Sequence, residues 1–342
     1  MFFSDMSIDL GTATMQVFVK NKGIILSEPT VIAINKDSGK IRGVGNRALE
    51  MLGRTPPEIE AIRPLSDGVI SNFTLCMEMI KAFLGKVLSR NIKKPRIMMC
   101  VPSGITNVEQ RAVIDAAREV GAKDVYIIEE PVAAALGAGI DISQAKGTLV
   151  VDIGGGTTDI AVISLGGVVS GRSLKIAGDE FTDAIVRYVR KEHKLIIGPR
   201  TAERIKKEIG TVVATDSDLV CNAKGLCALD SLPKEIKISA NEISSIFDDL
   251  VHNITERIRE VLESTPAELH RDIIDEGIIM TGGGSLITGL DERISSVVGV
   301  KVRLADDIEN CVVKGAAKAL SLIDADNPEP TRHYYKKAYI RQ

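Results

Sequence analysis

Two stretches of this 342-residue sequence place an aspartate between apolar residues and follow it with small ones. The first is Ile8-Asp9-Leu10-Gly11-Thr12-Ala13-Thr14 and the second is Val151-Asp152-Ile153-Gly154-Gly155-Gly156-Thr157. Glycines carry no Cβ, so their N–H groups can turn inward and close on an anion such as a phosphate chain. An aspartate at the mouth of the strand is placed to act on a metal that accompanies that phosphate. One such stretch alone is also what a tight turn requires, because Asp and Gly are common turn formers. Two copies in the two halves of one chain point to a duplicated architecture, with two similar domains facing each other across a cleft. A nucleotide between them would have its phosphates gripped from both sides.

The elements around these stretches must bring them together. Leu149, Val150, Val151 and Ile153 suit a buried strand, and Ile160, Ala161, Val162, Ile163 and Leu165 suit the one returning beside it. Val17-Phe18-Val19 plays the returning part in the first copy. Strands follow at 23–26 and 30–34, and residues 30–70 read as a small inserted lobe. A helix over 75–88, a strand over 97–101 and a helix opened by the Thr106–Glu109 capping box and ended by Gly121 come next. A strand over 125–128 ends on Glu129-Glu130-Pro131, and a small-residue helix runs over 132–139.

The second half repeats the alternation. A helix over 179–193 carries Phe181, Ile185 and Val189 on one face, and a charged helix covers 202–209. The pattern weakens over 211–237, which reads as a second inserted lobe. The Ser239–Glu242 capping box opens a long helix, and a strand over 277–281 runs straight into Gly282-Gly283-Gly284. This alternation predicts an α/β fold with mixed sheets, helices on both faces and ligands at the strand ends.

A formal net charge of -3 argues against general nucleic-acid binding. Cys76, Cys100, Cys221, Cys227 and Cys311 are scattered and odd in number, as expected of reduced thiols. The four histidines lack ligand spacing, so no transition metal is implied. With no signal-peptide pattern and no apolar run long enough for a bilayer, the expectation is a cytosolic protein that is able to lie on a membrane surface.

The two Asp-x-Gly hairpins, EEPVAAALGAG at 129–139 and TGGGSLITGL at 281–290 together resemble the nucleotide-binding set of the actin, sugar-kinase and 70-kDa heat-shock superfamily. Within it the sequence is most similar to the MreB family of bacterial actins. RPLSDGVISNF at 63–73, VPSGITNVEQRAV at 101–113, DIGGGTTDIAVISLGG at 152–167, AGDEFTDAIVRYVRKEH at 177–193 and RTAERIKKEIG at 200–210 carry that resemblance, which covers roughly residues 5–322. It implies an actin-like duplicated ATPase fold of four subdomains around an ATP cleft, with Mg2+ beside the phosphates. Subdomain IA would take 1–29 and 71–142, IB 30–70, IIA 143–178 and 239–305, and IIB 179–238. A helix within 306–323 would return to IA, and 324–342 would be a basic, flexible tail.

By the same resemblance, Asp9 and Asp152 would organise a hydrated Mg2+, which takes few protein carboxylates. Gly11, Thr12 and Ala13 would form one phosphate loop, and Gly154, Gly155, Gly156 and Thr157 the other. Glu203, Lys206 and Lys207 would face ribose and base, and Gly282, Gly283, Gly284 and Leu286 the adenine. Glu130 matches the family's water-positioning acid and Thr157 its hydroxyl partner. The resemblance implies a slow ATPase that assembles into filaments, paired antiparallel, at the inner membrane surface to set cell shape, with paralogues and envelope proteins as further partners. A chaperone ATPase and a small-molecule kinase of the same superfamily are the alternatives. For the membrane, the basic loop with Arg90, Ile92, Lys93 and Lys94, and the tail with Lys336 and Lys337, are expected to bind anionic lipid. Each basic residue contributes about 1 kcal/mol near such a surface, with Phe2 and Phe3 a minor anchor.

Overall fold

The computed structural model describes residues 5–66, 68–88, 95–214 and 219–323, and the backbone alone of 336 and 337. The first half opens with β1 (Asp5–Leu10), β2 (Thr14–Val19) and β3 (Gly23–Pro29). A small lobe follows with β4 (Ile32–Asn35), β5 (Ile41–Val44), α1 (Asn46–Met51), β6 (Ile59–Ile62) and the two short strands β7 (Leu65–Ser66) and β8 (Val69–Ile70). The chain returns through α2 (Phe73–Val87), β9 (Arg96–Val101), α3 (Asn107–Glu119), β10 (Asp124–Glu129) and α4 (Glu130–Gly137).

The second half begins with β11 (Thr148–Ile153), β12 (Thr158–Ser164) and β13 (Gly167–Leu174). Its own small lobe holds α5 (Gly178–Glu192), β14 (Leu195–Ile196), α6 (Pro199–Ile209), β15 (Val220–Cys227) and β16 (Pro233–Ser239). Then come α7 (Ala240–Glu263), α8 (Ala267–Glu276), β17 (Ile278–Thr281), α9 (Leu290–Val298), β18 (Val302–Leu304), α10 (Cys311–Leu322) and, at 336–337, β19.

The two main sheets have one plan. In the first the order is β3-β2-β1-β9-β10, and in the second it is β13-β12-β11-β17-β18. In each, the first three strands form an antiparallel meander and the inner strand continues through two parallel neighbours. Parallel pairs need crossovers, and α3 and α9 supply the equivalent one in each half. β19 adds a strand to the first sheet only, antiparallel to β10 with Lys336 opposite Ile127 and Lys337 opposite Tyr126.

Both capping boxes form as the sequence predicts, Thr106 with Glu109 and Ser239 with Glu242. Sequence patterning missed α8 and the two-residue β14, and it read 211–237 as weak. In the structure, β15 and β16 form a regular hairpin there. β15 leaves Val220 and Leu226 exposed and β16 is mostly exposed, with charged residues at Lys234, Glu235 and Lys237, so few apolar positions mark the strands.

One core fills each half, with Phe83, Ile80 and Met79 in the first. In the second, Phe181 and Phe247 stack edge-to-face at 4.7 Å. A third core joins the halves through α4 and α10, whose facing residues are small: Ala133, Ala134, Gly137, Gly315, Ala316 and Ala319. A Cβ on Gly137 would strike the carbonyl of Cys311, and one on Gly315 the carbonyl of Ala133. The two helices therefore approach backbone to backbone beneath the cleft.

Candidate functional site

The two Asp-Gly stretches become hairpins of identical register. Leu10 pairs with Met15 and Ile153 with Thr158, so each closes a four-residue loop, Gly11–Thr14 in one and Gly154–Thr157 in the other. The loops face and touch each other. A Cβ built on Gly156 would lie 2.7 Å from Thr12 Cγ2, and one on Gly155 would collide with the Ala13 side chain. Only glycine allows this approach. The loops line opposite walls of a cleft of about 600 Å³, a size that suits a ligand as large as a nucleotide.

The register also sets the acids. Asp152 stands opposite Asp159 on the β11–β12 ladder, and Asp9 opposite Gln16 on β1–β2. Asp152 is buried and accepts the Thr281 hydroxyl at 2.6 Å. Glu130 is buried at the first turn of α4. The sequence reading put it at the end of a strand; the structure ends β10 one residue earlier, because Pro131 is preset for a helix start. Its neighbour Glu129 is exposed and accepts the Ser103 hydroxyl at 3.0 Å.

Burial, and then the charges of their neighbours, raise the pKa values of these acids. Loss of hydration and then the charge of Asp152 push Asp9 up to about 7. Burial and then Asp152 push Asp159 up to about 7. Glu130 is held well above the usual carboxylate range by burial, then by Asp159, Asp9 and Asp152. Asp152 is raised by burial, with the Thr281 hydroxyl opposing. Gln16 Oε1 has no hydrogen-bond partner among the described residues. Crowded carboxylates suit a hydrated divalent cation and its waters. Among the described residues no group of three His, Cys, Asp or Glu side chains is placed to hold a metal ion; magnesium itself keeps several waters and takes few protein carboxylates.

Gly282, Gly283, Gly284 and Leu286 line the same cleft as Glu203, Lys206 and Lys207. The loop after α6 is tied to the Gly282–Thr288 segment by Val212 N–H donating to Thr288 O at 3.0 Å. Lys206 is the most enclosed of the three, and its ammonium is already engaged, donating to Gly178 O at 2.7 Å and Thr182 Oγ1 at 2.9 Å beside Glu203. It holds α5 in place, and α5 in turn holds the Gly154–Thr157 loop: Asp179 N–H donates to Gly155 O at 2.7 Å.

Several residues of the site were absent from the sequence reading. Gly68, between β7 and β8, donates its N–H to Thr12 Oγ1 at 3.2 Å; its φ of 71° is disfavoured for other side chains, and a Cβ there would lie 2.5 Å from Thr157 Cγ2. Ile70 N–H reaches Glu109 at 3.4 Å, tying that turn to the α3 cap. Asp159 had one available signal, counting the hairpin register across from Asp152; Thr281, on the parallel strand β17, had none. Of the membrane residues, Phe2, Phe3, Arg90, Ile92, Lys93 and Lys94 lie outside the described residues. Among those described, no helix is long and apolar enough to cross a membrane. All five cysteines are buried and free of disulfides.

A sequence profile described as MreB/Mbl protein matches residues 3–328. The chain belongs to the MreB/Mbl family. Among its relatives, cell shape-determining protein Mbl of Bacillus subtilis is 46% identical over 325 residues, covering 95% of this chain and 98% of that one. Cell shape-determining protein MreB of Escherichia coli is 44% identical over 330 residues, covering 95% of each. The crystal structure of MreB5 of Spiroplasma citri bound to AMPPNP superposes with a TM-score of 0.90 at 37% identity, covering 95% of this chain and 98% of that one. The MamK double helical filament, at 20% identity and a TM-score of 0.78 over 94% of this chain and 99% of that one, shares the fold. The MreB/Mbl proteins are actin-like, and the doubled sheet plan described above is the actin-like fold expected from the sequence.

Proposed function

We propose that this MreB/Mbl protein is a cytoskeletal subunit that binds ATP, hydrolyses it slowly and assembles into filaments on the inner face of the cell membrane, where it determines cell shape. The observation that carries this reading is the pair of equal-register hairpins meeting across one cleft, with Glu130 buried between them. The relative from Spiroplasma citri, bound to AMPPNP in one structure and to ADP in another, supports a nucleotide in that cleft.

Gly11, Thr12 and Ala13 hold the phosphate chain from one side and Gly154 to Thr157 from the other. Asp9 and Asp152 would hold Mg2+, which would supply charge neutralisation beside the phosphates. Adenine lies along Gly282 to Gly284 and Leu286, and the ribose falls to Glu203 and Lys207, since Lys206 is spent on α5. Glu130 and the Thr157 hydroxyl aim a water in line with the γ-phosphate. A strong base is unnecessary, because the transition state is loose and positioning dominates.

Phosphate release by purified protein with Mg2+ and ATP tests the chemistry. Glu130→Ala is expected to keep ATP binding and lose release by about 100-fold; unchanged release removes Glu130 from its role. Sedimentation and electron microscopy with ATP, ADP or no nucleotide test assembly. A protein that turns over ATP yet stays monomeric at high concentration speaks for a chaperone or kinase instead. The four-subdomain division and antiparallel pairing are part of the same proposal. Attachment rests on the basic loop and tail acting together in a filament, where weak contacts add. Co-sedimentation with anionic but not neutral liposomes, lost as salt rises, is expected; equal binding to both lipids overturns it.

A further inference from the structure

Leaving β19 aside, four strands form the outer edges of the two main sheets: β3 and β10 in the first, β13 and β18 in the second. An outer edge offers unpaired N–H and C=O groups to any other strand, and proteins blunt such edges with charge, proline or shortness. Three of the four are blunted in this way. β3 carries Glu28 and ends on Pro29, β13 carries Arg172 with none of its residues buried, and β18 has only 3 residues, Arg303 among them.

β10 is different. It is 6 residues long, and Val125, Tyr126, Ile127 and Ile128 are all buried, an apolar run of the kind found in central strands. β9 flanks it along its whole length on one side, and on the other β19 covers Tyr126 and Ile127. The match to the MreB/Mbl profile ends at residue 328, so β19 lies beyond what the family shares, and residues 323–335 separate it from α10. A two-residue ladder makes few hydrogen bonds, each contributing about 0.5–1.5 kcal/mol, so this strand is able to leave.

We propose that the outer edge of β10 is a self-association surface and that the segment of Lys336 and Lys337 is its cover. Paired, the segment keeps a second copy off. Displaced, it lets β10 of that copy pair antiparallel, an isologous contact that closes as a dimer. Neither state needs nucleotide, so this surface is separate from the cleft and its chemistry.

The test uses the full chain without nucleotide. It compares the wild type with Lys336→Pro/Lys337→Pro, which takes both N–H donors from the segment, and with Lys336→Ala/Lys337→Ala, which takes only the two charges. Hydrogen exchange read by mass spectrometry follows the β10 amides, and analytical ultracentrifugation follows the oligomeric state. In the proline variant at low concentration, exchange over β10 is expected to quicken by about tenfold or more. As concentration rises, a dimer is expected to form and the protection to return. The alanine variant is expected to match the wild type in both measurements.

A proline variant that stays monomeric over the whole concentration range overturns the proposal, whether or not its β10 amides exchange faster. So does a dimer that leaves β10 unprotected, which would place the contact elsewhere. An alanine variant that dimerises as readily as the proline variant makes charge the cause and overturns it as well, and a wild type that does so shows that the segment covers nothing.

Discussion

Gly156 is glycine because Thr12 occupies the space beside it. A methyl group there would come within 2.7 Å of Thr12 Cγ2, on the opposite loop and in the other half of the protein. Overpacking of this kind costs about 1–3 kcal/mol when the surroundings must shift. The parts free to shift are the two loops themselves, so the strain goes into the distance between them. Gly156→Ala is expected to weaken ATP binding by about tenfold or more on that energy scale, measured by calorimetry. Undiminished affinity would mean that loop separation does not set the grip. Thr281 makes a complementary case, since its hydroxyl reaches Asp152 at 2.6 Å. The sequence places Thr281 only at the end of a strand, and its partner lies 129 positions earlier.

At the scale of elements, the joint between the halves is the crossing of α4 and α10. Gly137 and Gly315 lie at that crossing, each with a carbonyl of the other helix where its Cβ would be. Alanine favours a helix over glycine by about 1 kcal/mol, so on local propensity alone Gly315→Ala should stabilise the protein. Packing opposes it, because the clash is with backbone that has no rotamer to change. Gly315→Ala is expected to lower the unfolding free energy by about 2 kcal/mol or more in urea titration; stabilisation would show that the crossing is loose. Elsewhere a local signal sufficed. The Thr106 and Ser239 capping boxes were legible because each is complete within four residues. The β14–β15–β16 sheet was less so, because β14 pairs with β15 across some thirty residues and the β15–β16 hairpin carries few apolar residues to mark it.

The whole molecule carries an electrostatic cost in its cleft that depends on pH. The ordinary pKa of an aspartate is 3.8, whereas folding holds Asp9 and Asp159 up to about 7. Between those values the folded protein keeps protons that the unfolded chain has lost. Stability therefore falls as pH rises through that window, and the loss is complete above the folded values. Without nucleotide, the melting temperature is expected to be several degrees lower at about pH 8 than at about pH 5.5, and Mg2+ with ATP is expected to flatten the slope. A melting temperature that rises with pH would mean that the acids are charged and neutralised already.

The sequence by itself determined the doubling of the fold, the two glycine-containing hairpin loops, the acids at their mouths and the family. Each of these is written in consecutive residues: apolar runs for buried strands, glycines where a loop must close on an anion, Asp9 and Asp152 where a strand ends. Tertiary structure decided what those residues face. The Gly156–Thr12 contact, Lys206 spent on Gly178, Gly68 bonded to Thr12 and Thr281 bonded to Asp152 all join segments far apart in the chain. Register and close packing set such meetings, and neither leaves a mark on residue type along a single stretch.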